Sequence, residues 1–268
     1  MTQQGNPNLT MNTDTAVILA AGMGIRLRNV IGKKPKGLLI LNGTSLLQRS
    51  CQLLSEQGIN LIYMVTGFQH TVLEETLHQS VMQPEIRFVR NPNYWESGSM
   101  ESLSCVEGLL PNDFLLLESD LLYESRALSI LLNDGQPDTV LTSGFTGSQD
   151  EVWIQGELSS HRKAGQERGR IIHINKKPDP HLEIQGELVG ISWISLELFE
   201  AMCRHHRKNR PQTYDHHYEE NLSELCSEWN LTYLKITDLV WTEIDTEAHY
   251  LHATNRIYPS ILKQESNR

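Results

Sequence analysis

The 268-residue sequence predicts an α/β fold, a mostly parallel sheet covered by helices on both faces. Two observations carry this. Short apolar runs of strand length alternate with segments of helical spacing from Thr15 to Gly144, the pattern left by successive βαβ units. The first run, "TAVILA", also feeds directly into the glycine pair Gly22 and Gly24, a turn of the kind that opens such units.

Each element follows from its own residues. "TAVILA" (15–20) is strand-like, "TSLLQRSCQLLSEQG" (44–58) has helical spacing and stops at Gly58, and "NLIYMVTG" (60–67) is strand-like again. "TVLEETLHQ" reads as helix, "EIRFVR" as strand, "GSMESLSCVEGLL" as helix, "DFLLLESD" as strand, "SRALSILLND" as helix and "DTVLTSG" as strand. Between about 150 and 186 the texture becomes glycine-rich and charged with short extended pieces, which predicts a smaller antiparallel subregion covering the sheet edge. "LTYLKITDLVWTEIDTEAHYLHAT" then reads strand, strand, helix. The expected organisation is a disordered tail over 1–13, one domain over 14–255 and a C-terminal tail or helix over 256–268.

Composition narrows the function classes. A net charge of −10 argues against a general nucleic-acid binder, although local basic clusters can still hold a small polyanion. No apolar run is long enough to span a bilayer, and the polar start lacks the features of a secretion signal, so a cytoplasmic, unanchored protein is expected. Cys51, Cys105, Cys203 and Cys226 share no C-x-x-C spacing, and three of them sit in apolar periodic segments, so they read as buried free thiols. The pairs His205-His206 and His216-His217 read as solvated helix residues, because adjacent helical side chains point about 100° apart and do not readily share a metal. No oligomeric state follows from these residues; a homodimer is compatible with them.

The turn after the first strand is not a complete dinucleotide fingerprint. Leu27 stands where G-x-G-x-x-G needs its third glycine, and the surroundings are basic: Arg26, Arg28, Lys33, Lys34 and Lys36. Backbone at Gly22 and Gly24 can approach a phosphate closely, with Arg26 and Lys36 adding charge-assisted contacts. In a parallel sheet ligands gather at the carboxyl ends of strands, and two further exits there carry aspartates: Asp120 after "FLLLES" and Asp245 after "VWTEI". Two carboxylates beside a phosphate-binding turn suit Mg2+, which takes one or two carboxylates together with phosphate oxygens. Each aspartate also has a purely structural reading as a helix N-cap or turn residue.

"LAAGMGIRLRNVIGKKPKGLLILNGTSLLQRS" resembles the G-x-G-x-R, spacer, P-K signature of nucleotidyltransferases that activate sugar phosphates and small phosphate-bearing alcohols. "NPNYWESGSMESL", "LLLESDLLYE", "GELVGISWIS" and "WTEIDTEAHYLHA" are similar, in the same order, to later blocks of the bacterial cytidylyltransferases for 2-aminoethylphosphonate and phosphocholine. The resemblance covers about residues 14–255. It implies a Rossmann-like sheet of the nucleotide-diphospho-sugar transferase type and an enzyme using CTP and Mg2+. An oxygen of the acceptor phosphonate or phosphate would attack the α-phosphorus in line, expelling pyrophosphate without a protein nucleophile.

The resemblance also assigns roles. Arg26 would lie along the departing pyrophosphate, Lys36 near the α-phosphate, and Lys176, with Lys177 as its neighbour and competitor, near the acceptor. Asp120 and Asp245 would hold the metal. Ala20, Ala21, Gly22, Gly24 and Gly67, with Ser99 and Ser102 at a helix start, would surround the nucleotide. For the far end of the acceptor the candidates are Glu151, Trp153, Glu187, Tyr214, Asp215, Tyr218, Glu219, Trp241 and Glu243. A primary ammonium needs carboxylates, whereas a trimethylammonium needs aromatic faces. The acidic candidates favour 2-aminoethylphosphonate, with phosphocholine next. A sugar 1-phosphate enzyme and a non-catalytic nucleotide-binding domain remain the other readings.

Overall fold

The computed structural model describes residues 13–79, 84–159, 165–210 and 212–266. Residues 1–12 of the expected tail lie outside the described residues, while Thr13 is buried and its hydroxyl donates to the Asp113 carbonyl. In chain order the elements are β1 (Thr15–Ala20), α1 (Arg28–Ile31), β2 (Ile40–Leu41), β3 (Thr44–Ser45), α2 (Leu46–Glu56), β4 (Leu61–Thr66), α3 (His70–His78) and β5 (Glu85–Arg90). There follow α4 (Ser99–Ser104), β6 (Phe114–Glu118), β7 (Leu121–Tyr123), α5 (Arg126–Asp134), β8 (Thr139–Ser143), β9 (Trp153–Leu158), β10 (Gln166–Asn175) and β11 (Ile184–Ile194). The chain closes with α6 (Leu196–Asn209), α7 (Tyr218–Leu225), β12 (Thr232–Ile236), β13 (Trp241–Glu243), α8 (Glu247–His252) and α9 (Tyr258–Ser266).

Nine strands form one sheet in the order β5-β4-β1-β6-β11-β8-β12-β10-β9. Along β1 the side chains of Ala16, Ile18 and Ala20 join one apolar cluster and those of Val17 and Leu19 another, so the strand is buried on both faces. The neighbours β5, β4, β1 and β6 are parallel. The second half departs from the expected mostly parallel sheet. Strand β11 runs antiparallel between β6 and β8, and β10 runs antiparallel to both β12 and β9, so the sheet is mixed. Part of the reason lies in the connections: among the described residues no helix separates Trp153 from Ile194, and without a crossover helix β9 pairs antiparallel with both β10 and β11.

The region expected to cover the sheet edge instead continues the sheet. Strand β9 bonds to β10 on one side and, over Trp153–Gln155, to β11 on the other, so β11, β8, β12, β10 and β9 close into a ring. Strand β11 can serve β6, β8 and β9 because its register with β8 slips between Leu188 and Ser192, where Gly190 sits at φ +80°. A separate ribbon of β7 and β13 carries the Asp120 and Asp245 strand exits side by side, with the Ile244 N–H donating to the Asp120 carbonyl at 3.1 Å.

Helix starts follow their caps. Ser45 and Gln48 form a reciprocal capping box on α2, Ser195 caps α6 and Thr246 caps α8. Because Thr246 takes the cap, Asp245 is free of that role. Asp120 is likewise no cap, since it lies in the turn between β6 and β7, five residues ahead of the α5 cap Ser125. Among the expected solvated histidines, His206 proves to be buried. It shares the inner face of α6 with Phe199, Met202 and Cys203, its Nε2 2.9 Å from Glu101 and its Nδ1 3.2 Å from the Thr213 hydroxyl.

Candidate functional site

The strand exits of β1, β6 and β13 meet in a cleft of about 340 Å3, within the range of small-ligand sites. At the first exit Ala21 and Gly22 line the cleft, and Gly24 adopts φ +53°, a left-handed conformation that suits glycine. A Cβ on Gly24 would lie 3.2 Å from Lys36 Cβ, so the turn closes directly onto the lysine stem. Lys36 then projects between the two aspartates: Nζ donates to Asp245 Oδ1 at 2.5 Å and pairs with Asp120. Burial opposes the lysine's charge, but Asp120 and Asp245 outweigh it and raise its pKa. Arg26 Nη2 lies 3.3 Å from the other Asp245 oxygen. Against the opposing effect of burial, the hydrogen bonds of Asp245 with Glu243 and Lys36 hold its carboxyl well below the usual range.

Carboxylates dominate the opposite wall. Oxygens of Glu118, Asp120 and Glu243 lie within 4.8 Å of one another, and Asp120 Oδ1 is buried without a hydrogen-bond partner. Burial, then Asp120 and Glu219, push the Glu118 carboxyl up to about 8, and burial followed by Asp120 raises Glu243 well above its ordinary value. The orphaned oxygen and the all-oxygen donor set fit a hard divalent cation such as Mg2+. The trio differs in make-up from the expected pair: Glu118 and Glu243 gather with Asp120, while both oxygens of Asp245 face Lys36 and Arg26.

The expected residues divide into two groups. Lining the cleft are Ala21, Gly22, Arg26, Lys36, Lys176, Ser99, Ser102, Asp120, Asp245, Glu187, Glu219, Trp241 and Glu243. Ser99 is not the α4 cap, which is Gly98; its oxygen accepts from the Tyr218 N–H at 3.0 Å, pinning the start of α7. Ser102 accepts from Asn91 Nδ2 at 2.9 Å. Glu187 accepts from both the N–H and the hydroxyl of Thr146, at 2.6 and 2.7 Å, and so holds the loop after β8.

The others stand off the cleft wall. Ala20 is the buried last residue of β1, and Gly67 leaves the space in which Tyr94, itself a lining residue, packs. Glu151 accepts from the Gln149 N–H, and Trp153 packs edge-on against Phe145 at 4.9 Å. Tyr214 lies under the Arg210 guanidinium at 4.8 Å, Asp215 packs its carbonyl on Gly98, and Tyr218 is buried, its hydroxyl donating to Glu118 Oε1 at 2.8 Å. Glu118, at the same strand exit as Asp120, also lines the cleft, as do Asp150 and His217, which the sequence did not mark as site residues. Asp150 reads as a polar loop residue with no periodicity to mark it.

Gly98 is where α4 meets the chain before α7. Its N–H donates to the Tyr214 carbonyl at 3.0 Å, and a Cβ there would run into the carbonyl oxygens of Asp215 and His216. Gly98→Ala is expected to cost about 1–3 kcal/mol or more, since backbone rather than a side chain must move. A chemical denaturation midpoint equal to that of the unaltered protein would show that the two segments separate freely.

A glycine turn and three basic groups facing a buried carboxylate wall suit an enzyme that transfers nucleotidyl groups, and related sequences belong to that class. The chain belongs to the MobA-like NTP transferase family, whose domain profile matches residues 16–169. It is 23% identical over 249 residues to the CMP-5'-(3-aminopropyl)phosphonate synthase of Streptomyces rubellomurinus, covering 91% of this chain and 39% of that protein. It is also 23% identical over 246 residues to the CTP:phosphoglutamine cytidylyltransferase of Campylobacter jejuni, covering 86% of this chain and 95% of the other. The chain thus spans well under half of the first relative and nearly all of the second. In fold it is similar to the inositol-1-phosphate CTP transferase from T. maritima, with a TM-score of 0.77, 19% identity and coverage of 94% and 96% of the two chains. Among the described residues no helix is long and apolar enough to cross a membrane.

Proposed function

We propose that the protein is a CTP-dependent cytidylyltransferase that converts 2-aminoethylphosphonate to its CMP derivative and releases pyrophosphate. One observation carries the reading. The cleft is lined by seven acidic side chains, those of Glu118, Asp120, Asp150, Glu187, Glu219, Glu243 and Asp245, crowded closely enough that burial and their mutual repulsion push Glu118 and Glu243 toward the protonated form, against Arg26, Lys36, Lys176 and the imidazole of His217. A site for two anionic reactants needs more positive charge than that. A divalent cation and an ammonium carried by the acceptor itself would provide it.

The chain's residues have the following parts in this reaction. The Ala21–Gly22 backbone and Arg26 hold the triphosphate, with Arg26 along the departing pyrophosphate. Lys36 leaves the aspartates for the α-phosphate as negative charge develops there, and Lys176 faces the acceptor phosphonate. Asp120, with Glu118, Glu243 and Asp245 around it, would hold Mg2+, which supplies charge neutralisation to the transferring phosphoryl oxygens. Rate then comes from positioning and electrostatics, with no covalent intermediate.

The far end of the acceptor is read from the wall. Of the nine candidates, the ones on the cleft are three glutamates and Trp241, whose indole N–H donates to Ser143 at 2.5 Å. Trp153, Tyr214 and Tyr218 stand elsewhere, so an aromatic cage for a trimethylammonium lacks most of its proposed faces. A hydroxyl-reading sugar site would use asparagines together with glutamates; glutamates line the cleft, but among the described residues no asparagine does. Similarity to an aminopropylphosphonate enzyme supports the same choice.

The test is pyrophosphate release with Mg2+, CTP and a panel of acceptors. 2-Aminoethylphosphonate is expected to exceed phosphocholine in kcat/KM by at least about tenfold, because a methylated nitrogen leaves buried carboxylates without hydrogen bonds at roughly 1–3 kcal/mol or more. Preference for phosphocholine would replace the acceptor assignment, and turnover only with a sugar phosphate would replace the whole reading.

A further inference from the structure

Asp150 joins two cations that approach from different parts of the fold. Arg26 comes from the turn after β1, and its Nη2 donates to Asp150 Oδ2 at 2.8 Å. Lys176 follows the end of β10, and its Nζ donates to the other oxygen, Oδ1. Burial would raise the Asp150 carboxyl, but the hydrogen bonds from Lys176 and Arg26 prevail and hold it low.

Asp150 ends a strap, residues 144–150, that is fixed at two further points. Glu187 holds Thr146, as described above, and the Ser148 carbonyl lies 3.2 Å from His249 Nε2. The strap partitions the active cleft from a second hollow of about 880 Å3, and Arg26, Asp150 and Trp241 border both spaces. The carboxylate is thus held in place by its own loop and is not drawn in by the two cations alone.

We propose that Asp150 is a positioning residue with two opposed effects: it competes with the nucleotide's phosphates for Arg26, and it holds Lys176 ready for the acceptor's anionic group. This rests on the reading above of what the two cations bind. A triphosphate reaching Arg26 meets a guanidinium already paired with a carboxylate, so binding must loosen that pair. The cost is small, because Arg26 is 56% exposed and water screens the interaction. Lys176 has the reverse dependence. Asp150 is its one close ion-pair partner among the described residues; without that charge the long side chain feels only the more distant Glu219 and Glu243, and the acceptor must order more of it at an entropic cost.

Asp150→Asn in the full chain separates these effects. CTP binding, measured by calorimetry with Mg2+ and no acceptor, is expected to tighten by about two- to fivefold, the scale of an exposed ion pair. KM for the acceptor is expected to rise by a comparable factor, kcat to change less than either, and Asp150→Glu to restore the acceptor KM. A structural defect would move both constants upward together and lower the thermal midpoint; that outcome overturns the proposal, as does no change in either. Tighter CTP binding with an unchanged acceptor KM removes the Lys176 half. The calorimetric arm needs no acceptor, so a wrong acceptor assignment leaves it readable, whereas failure of the unaltered protein to bind CTP sinks the proposed function itself.

Discussion

Asp120→Asn and Asp245→Asn are each expected to lower turnover roughly a hundredfold to a thousandfold, the scale on which loss of one preorganised electrostatic group acts in an active site. Asp120 carries the orphaned oxygen of the carboxylate wall, and Asp245 binds Lys36 and Arg26 together. Both variants should keep the fold. The backbone bond from Ile244 to the Asp120 carbonyl is untouched by the side-chain change, and α8 keeps its cap on Thr246. Steady-state pyrophosphate release at saturating CTP and Mg2+, with circular dichroism as the folding control, makes the measurement. Near-normal activity in either variant would remove that aspartate from the mechanism.

The second large effect belongs to Lys36 and has two readouts. Lys36→Ala takes the cation from between two buried aspartates, and stripping one partner from a buried ion pair typically costs about 3–5 kcal/mol. The denaturation midpoint in chelator should therefore fall, and added Mg2+ should recover more of it in the variant than in the unaltered protein, because the ammonium no longer competes for the carboxylates. In catalysis the single-turnover rate at saturating CTP should fall by more than CTP affinity does, since the lysine's charge matters most as charge develops on the α-phosphate. An unchanged midpoint in chelator would deny Lys36 its counter-ion role, and an unchanged single-turnover rate would deny it the catalytic one.

Much of this site was legible because strand ends are legible. "TAVILA" and "DFLLLES" stop being apolar where β1 and β6 stop, so Gly22, Arg26 and Asp120 could be placed at one end of a sheet before any geometry was known. Asp245 followed from the same logic at β13. Direction was not legible: the run around "GELVGISWIS" is apolar whichever way it points, and only its register with β6 and β8 shows that β11 opposes them. His206 was legible in principle, three and four residues beyond Cys203 and Met202 on an apolar face, but doubled histidines drew the reading toward solvent. Tyr214 and Asp215 entered the acceptor list by composition, and composition does not say which way a loop faces.

The ring made by β9 and β11 bears on how this protein meets copies of itself. A sheet normally ends in two strands with unsatisfied backbone groups, each a template for another chain. Here one end has folded back and bonded to its own interior, which leaves β5 as the open margin of the nine-stranded sheet. That margin is short and charged, carrying Glu85, Arg87 and Arg90, with Arg87 Nε donating to Glu85 at 2.7 Å. Lateral growth of the nine-stranded sheet by strand addition is blocked where Trp153–Gln155 of β9 bond to β11 and discouraged at β5 by charge.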